Sequence, residues 1–456
     1  MTEIYTIERA NRFIEEHKKE VNKQFKPVKH FSAEIGWIND PNGFVYFRGE
    51  YHLFYQFYPY DSVWGPMHWG HAKTSDFVNW EHLPVALAPD MPYDKNGCFS
   101  GSAIVKDDVL WLMYTGNIEQ EDGSTRQVQN MAYSKDGIHF TKIAENPVAT
   151  GECLPKELVS SDFRDPKLFK KDDKYYAVVA AKHQDSIGTI VLLGSDNLID
   201  WNFESIFLKG TPEQGIMWEC PDYFNLDGTD ILVMSPMRMA RNKYDFRNIN
   251  ASVVMTGKVD WNEKIFKLES IHELDHGHDF YAPQSLLDDK GRRIMIAWLH
   301  TWGRQIPPHD LHHKWAGSMT LPRELTLKNN QVLQNVLPES IEALPMLDID
   351  QNIIKTGFFE IEVSGTLLMR LGTLDDYIDF GFDGEEGVVY INREHLNHKL
   401  KGDETWDTDV RSVPIQAKKL LVIIDYNSIE MVVNNGEETL TSAYYIEGNH
   451  YLNRIV

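Results

Sequence analysis

The feature of this chain that most limits its fold is a turn-and-strand unit that returns about every sixty residues. It reads RGEYHLFY (Arg48 to Tyr55), DDVLWLMY (Asp107 to Tyr114), DDKYYAVV (Asp172 to Val179), DGTDILVM (Asp227 to Met234) and DKGRRIMIAW (Asp289 to Trp298). With Gly49, Asp108, Asp173, Gly228 and Lys290 as markers, the steps are 59, 65, 55 and 62 residues. A second unit, an acidic turn closed by an aromatic residue, runs in step with the first. Its closing residues, Trp80, Phe140, Trp201 and Trp261, are 60, 61 and 60 residues apart. Self-similarity at a fixed period signals a repeat architecture. Units of strand and turn with little helical periodicity, set around an axis, make a β-propeller. The expectation is an all-β chain: a five-bladed β-propeller over residues 28–340, with four strands per blade. A sandwich with coincidental spacing is the competing reading.

Beyond about residue 340 the period is lost. Phe359, Ile361 and Val363 alternate with Glu360 and Glu362, as in half-buried strands. Residues 341–456 therefore read as a separate β-sandwich, a structural module or the contact face of a homo-oligomer. Residues 1–27 read as a helical segment, with Thr6 as cap and Ile7, Ala10, Phe13 and Ile14 on one face. That segment is charged throughout and has no apolar core of a secretory signal. No run approaches the ~18 apolar residues of a membrane span. A net charge of −23 repels nucleic acid and anionic membrane, which removes both as partners. Cys98, Cys153 and Cys220 are odd in number and widely spaced, which argues against a disulfide framework or a zinc site. They read as reduced, buried thiols of a cytoplasmic protein.

Nine residues before Gly49 stands Asp40, in GWINDPNG. Phe99 precedes Asp108 by nine, and Asp165, in FRDPK, precedes Asp173 by eight. Glu219, in WECPD, and Tyr281, in YAPQS, precede Gly228 and Lys290 by nine. Such offsets place the five at equivalent points on each blade's first strand, which lines the central channel. Asp40, Asp165 and Glu219 should converge there, and one of three crowded carboxyls should keep its proton near neutral pH. A protonated carboxyl beside a carboxylate is the equipment of glycoside hydrolysis. Trp37, Trp64, Trp69, Trp218, Tyr281 and Trp298 offer faces for stacking on a sugar. Asn39, Gln56, Ser100 and Arg164 offer partners for its hydroxyls. A cation held by the three carboxylates is the competing use of the site, but no further Asp or Asn cluster surrounds the motifs.

The stretches GWINDPNG, LFYQFYP, MHWGHAKTSDFVNW, FSGS, FRDPK, WECPD, YAPQS and AGSMTLPREL, in this order, resemble glycoside hydrolase family 32, the invertase and fructanase family. The tail LVIIDYNSIEMVVNNGEETL resembles the family's C-terminal sandwich. The resemblance implies a propeller followed by a sandwich and a retaining β-fructofuranosidase that needs no metal or cofactor. Asp40 would be the nucleophile, Glu219 the acid and base, and Asp165 the stabiliser of the fructosyl transition state. Asn39, Gln56, Trp64, Ser100 and Arg164 match fructose-binding positions; Phe99, Tyr281 and Trp298 are added from the strand offsets and aromatic count. Ala33 and Tyr58 depart from the family's usual Pro and Asn, and the loop SPMRMARNKYDFRN departs from its glycine-rich version.

Loops after each second strand should rim the mouth. They carry Arg238, Arg241, Lys243 and Arg247, then Lys182 and His183, then Arg304, His309, His312 and His313. A basic rim on an acidic chain suits a phosphate; a solvated charged loop is the plain alternative. The expected substrate is sucrose 6-phosphate or sucrose, with short fructo-oligosaccharides as the near alternative. A fructan-binding propeller without catalysis is the alternative of another class.

Overall fold

The computed structural model describes residues 5–349, 353–400, 402 and 408–456; the first four residues of the expected N-terminal segment lie outside them. Five sheets form a five-bladed β-propeller, and two further sheets form a β-sandwich. The innermost strands are Gly36–Phe47, Cys98–Lys106, Leu158–Lys171, Met217–Leu226 and Tyr281–Leu287. Each packs against the next, and the last returns to the first, so the ring closes. Blade one departs from the expected four strands. Trp315–Ala316, from the chain beyond blade five's second strand, pairs in parallel with Gly36 and Trp37 and latches the ring.

The repeat that betrayed the blades is turn chemistry. All of the first markers lie in the hairpin between a blade's first and second strands. Arg48, Asp107, Asp108, Asp172 and Asp227 have φ between 49° and 58°, and Gly49 and Gly228 have φ of 87° and 82°. Tight hairpins demand such left-handed backbone, which Gly and Asp tolerate best. The second repeat is a side-chain-capped turn between the third and fourth strands. Asp76 Oδ1 accepts from the N–H groups of Val78 and Asn79, Asp136 Oδ1 from Ile138 and His139, and Asn197 Oδ1 from Ile199 and Asp200.

Helix Ile7–His17 is capped by Thr6, whose hydroxyl accepts from Arg9 N–H at 3.2 Å. Its Ala10 is fully buried, and Ile7 and Ile14 cover Phe31 and Tyr55 of blade one. In the sandwich, Gly357–Glu362, Lys419–Asp425, Ser428–Val433 and Glu438–Ala443 form one sheet. Val410–Pro414, Val388–Asn392, Tyr377–Asp383, Leu367–Gly372 and Tyr451–Arg454 form the other. Their inner faces share one apolar core that includes Phe359, Phe380, Val422 and Met431.

The seam between propeller and sandwich is polar and buried. Arg323 bridges Asp275 (3.0 Å) and the sandwich's Glu430. His30 donates from both ring nitrogens, to Asp425 (2.9 Å) and Glu430 (2.8 Å). Asp279 is held between Arg304 (3.0 Å) and Arg393 of the sandwich (2.6 Å). Arg304 is therefore a seam residue and not part of a rim; a guanidinium this close to a buried carboxylate is worth more inside than in water. His313, also expected on the rim, is buried and stacks on Phe25 at 5.7 Å.

Candidate active site

Each innermost strand carries a β-bulge at the level of the site. Arg164, Glu219 and Tyr281 face Ala180, Ser235 and Trp298 of their second strands. Pairing then skips two residues and resumes at Lys167, Asp222 and Gln284. The first skipped residues, Asp165, Cys220 and Ala282, have φ of 62°, 49° and 50°. By register, then, the counterpart of Glu219 and Tyr281 in blade three is Arg164. Asp165 sits one position on, beside Cys220 and Ala282, which explains its offset of eight where the others have nine. A regular strand sends neighbouring side chains to opposite faces. A bulge suspends that alternation, so Arg164 and Asp165, or Glu219 and Cys220, both reach the mouth.

There the three carboxylates meet. Asp40 Oδ2 accepts from Ser100 Oγ at 2.7 Å, and its Oδ1 accepts from Asn39 Nδ2 at 3.0 Å. The Cys220 thiol lies 3.4 Å from Asp40 Oδ2 and 3.7 Å from Asp165 Oδ2, so one sulfur touches both aspartates. Asp165 Oδ2 also accepts from Cys220 N–H at 3.0 Å. Glu219 Oε1 accepts from Arg164 Nη2 at 2.9 Å, and its Oε2 accepts from the Tyr281 hydroxyl. Arg164 also reaches Asp162 (3.2 Å) and Gln127 (3.3 Å), and stands 4.0 Å from Asp165.

Burial raises the Asp165 pKa to about 7: Arg164 pulls it down, but the charges of Glu219 and Asp40 push it up again. Asp40 is raised as well, chiefly by burial, against the hydrogen bonds from Asn39 and Ser100. The retained proton is expected on the general acid; the crowding bears instead on Asp165, the expected stabiliser. Burial and the three neighbouring carboxylates also drive the Cys220 thiol well above its ordinary value, so it stands there as a neutral S–H donor.

The aromatic residues divide. Trp64 is 43% exposed and meets Phe99 edge-on at 5.9 Å, so both stand at the opening. Trp37 is buried, with its Nε1–H donating to Asn39 Oδ1 at 2.7 Å, and so fixes the residue that holds Asp40. Trp69 and Trp218, expected as stacking faces, are instead fully buried core residues; Trp218 packs among Ile190, Leu192 and Phe207. Trp298 is also fully buried, edge-on to Tyr281 (6.4 Å) and Trp37 (5.7 Å), so it backs the site and offers no open face. Tyr281 is likewise buried and contributes its hydroxyl rather than its ring. Gln56 is buried behind the site, donating to Asn42 Oδ1 and Cys98 O at 3.0 Å.

Sequence reasoning missed four members of this set: Cys220, Gln127, Asp162 and Trp302. Cys220 was visible inside WECPD but was read only as a buried thiol; it and Cys153 are in fact partly exposed. Trp302 stacks on Trp37 at 6.0 Å and 27°, from the loop after blade five's second strand. The rule that such loops rim the mouth would have found it. Gln127 and Asp162 carry no motif and become visible only through Arg164. On the basic rim, Arg238 and Arg241 are exposed, whereas Lys243 lies 3.5 Å from Glu386 of the sandwich.

Comparison with known proteins gives a consistent answer. Residues 30–336 match the description "Glycosyl hydrolases family 32 N-terminal domain", and residues 330–453 match "Glycosyl hydrolases family 32 C terminal". The chain is 36% identical to the sucrose-6-phosphate hydrolase of Bacillus subtilis, over 97% of this chain and 94% of that protein. It is 36% identical to the raffinose invertase of Escherichia coli, over 92% of this chain and 89% of that one. Among solved structures, sucrose-6-phosphate hydrolase from Lactobacillus gasseri superposes with a TM-score of 0.88 at 27% identity, covering 99% of this chain and 96% of the other. A mutant of the Bombyx mori family 32 β-fructofuranosidase in complex with sucrose gives 0.85 at 32% identity, covering 98% and 95%.

Proposed function

Since the chain belongs to glycoside hydrolase family 32, we propose that it is a retaining β-fructofuranosidase that hydrolyses sucrose 6-phosphate and sucrose and releases fructose. The observation that carries this reading is the convergence of Asp40, Asp165 and Glu219 on shared partners, Cys220 and Arg164. Asp40 attacks the anomeric carbon of the fructosyl unit while Glu219 gives a proton to the departing glycosidic oxygen. A fructosyl ester on Asp40 results. Glu219, now ionised, takes a proton from water, which attacks the same carbon and frees Asp40.

Asp165 has a different task. It sits between two other carboxylates at a place where burial already resists its ionisation. A sugar ring that gains positive charge in the transition state relieves that repulsion, so the site favours the transition state over the neutral ground state. Asn39 and Ser100 hold Asp40 as a hydrogen-bonded anion and fix the direction of its attack. Arg164 and Tyr281 hold Glu219 from two sides.

The glucose 6-phosphate end of the substrate is assigned to the rim, where Arg238 and Arg241 are exposed on the loop after blade four's second strand. The three free cysteines suit a reducing compartment, which supports work in the cytosol. The test is kcat/KM for sucrose 6-phosphate, sucrose and kestose, with Arg238→Ala/Arg241→Ala beside the native chain. The expected result is preference for the phosphorylated disaccharide and its selective loss in the double variant. Preference for kestose would replace the substrate by short fructo-oligosaccharides. Absence of fructose release from all three would leave a binding propeller.

A further inference from the structure

The loop of blade four also reaches the sandwich, where Arg411 donates to the Arg247 carbonyl at 3.3 Å. There Asp245, Glu273 and His276 bring one donor atom each to within 4.8 Å of one another. Glu273 ends the outer strand Ile265–Glu273, and its Oε2 accepts from Phe246 N–H at 2.6 Å, which ties the loop to the strand. The sandwich contributes Glu438, whose Oε2 lies 3.2 Å from His276 Nε2. A cavity of about 250 Å³ opens beside all four residues.

His276 is 6% exposed. Its Nε2 is taken up by Glu438. Its Nδ1 has no hydrogen-bond partner and points between Glu273 Oε2 (3.5 Å) and Asp245 Oδ1 (3.8 Å). A buried ring nitrogen without a partner costs about 1–3 kcal/mol. These separations are long for hydrogen bonds. They lie close to the ~3.4 Å that separates two ligands of a tetrahedral zinc ion with bonds near 2.1 Å. A histidine that binds metal through one nitrogen and gives the other N–H to a carboxylate is the usual way such a ligand is oriented.

We propose that Asp245, Glu273 and His276 form a binding site for one divalent transition-metal ion of the zinc class, with Glu438 orienting His276. Water from the cavity supplies the remaining ligand. One imidazole with two carboxylates suits such an ion better than calcium, which takes six to eight oxygens. The ion clasps the blade-four loop, the end of the outer strand and the sandwich edge together, and it has no part in the reaction at the mouth. A proton on His276, held by the same carboxylates, is the alternative occupant.

The experiment is calorimetric titration of the full chain, stripped with chelator, with zinc chloride and separately with calcium chloride. Melting curves are taken with and without zinc. The expected result is one tight zinc equivalent, no comparable calcium binding and a zinc-dependent rise in Tm. Asp245→Asn and His276→Ala should each weaken zinc at least about tenfold. Asp245 is partly exposed, so its variant should fold even if the His276 variant does not. A His309→Ala/His312→Ala chain controls for half-buried His309 and exposed His312 and should keep the equivalent. Absence of stoichiometric zinc in the native chain overturns the site. So does zinc that survives Asp245→Asn and disappears in the double-histidine variant.

Discussion

The mouth of the propeller and the seam beneath the sandwich both bury several charged groups, and they treat them in opposite ways. At the mouth, carboxylates gather with one arginine among them. Burial and mutual repulsion push Asp165 up to about 7 and raise Asp40. At the part of the seam built around Arg323, His30 and Asp279, each acid meets a base. Burial alone would raise Glu430, but Arg323 and His30 hold it down at about 2. Asp279 is driven well below its ordinary value by Arg393 and Arg304, again against burial. Burial would lower His30, yet its bonds to Asp425 and Glu430 keep it at about 9. The same low dielectric thus amplifies repulsion in one place and attraction in the other. The mouth gathers charges that repel one another, which in the proposed mechanism a cationic transition state relieves; the seam pairs its charges and so fixes two modules in one orientation.

The comparison can be broken experimentally. The largest expected effect is at the mouth: Asp40→Asn and Glu219→Gln should each lose on the order of 3–7 kcal/mol of transition-state stabilisation, read as kcat on sucrose, while melting barely moves. Azide should restore part of the turnover of the acid-base variant if a fructosyl ester forms. Unchanged turnover in either variant removes the catalytic reading.

Next comes the seam. Asp279→Ala leaves Arg304 and Arg393 buried without their carboxylate, which should cost about 3–5 kcal/mol of stability by denaturant unfolding. The kcat of the folded fraction should hold. A large loss of kcat with normal stability would mean that the seam serves the reaction directly.

A pH series sharpens the contrast. His30 is raised above its unfolded value of 6.5, so its stabilisation is complete below that pH and is lost as pH climbs through about 9. The loss should approach about 3 kcal/mol between neutrality and pH 10, seen as falling denaturant midpoints, and His30→Gln should flatten it. Asp165 shifts stability in the same direction but in a lower pH window, because there the native state disfavours the charged form. A carboxyl raised in the fold makes the native state bind the extra proton, so stability falls as pH rises from about 4 to about 7. Asp165→Asn removes that penalty. It should raise Tm at pH 8 by a few degrees and lower kcat, a trade of stability against activity. A lower Tm in that variant would show that the mouth is not frustrated.

Much of this was legible in the chain. Asp108, Gly228 and their counterparts announce hairpins because few residues accept left-handed backbone, and their spacing announces the blades. Asp40, Asp165 and Glu219 could be picked out because each stands eight or nine residues before such a turn. The aromatic residues were not legible in the same way. Trp64, Trp69 and Trp298 have the same side chain, and one is at the opening while two are buried.

The amino-acid order by itself determined the turns, the period and which strand each acid occupies, since these depend on neighbours a few residues away. The tertiary structure alone decided that a bulge turns Arg164 and Asp165 to the same side, and that Arg304 and His313 are buried rather than on the rim. It also decided that His30 finds Glu430 across 400 residues of sequence. Those outcomes depend on which distant surfaces come into contact and exclude water, and no local pattern of residues encodes that.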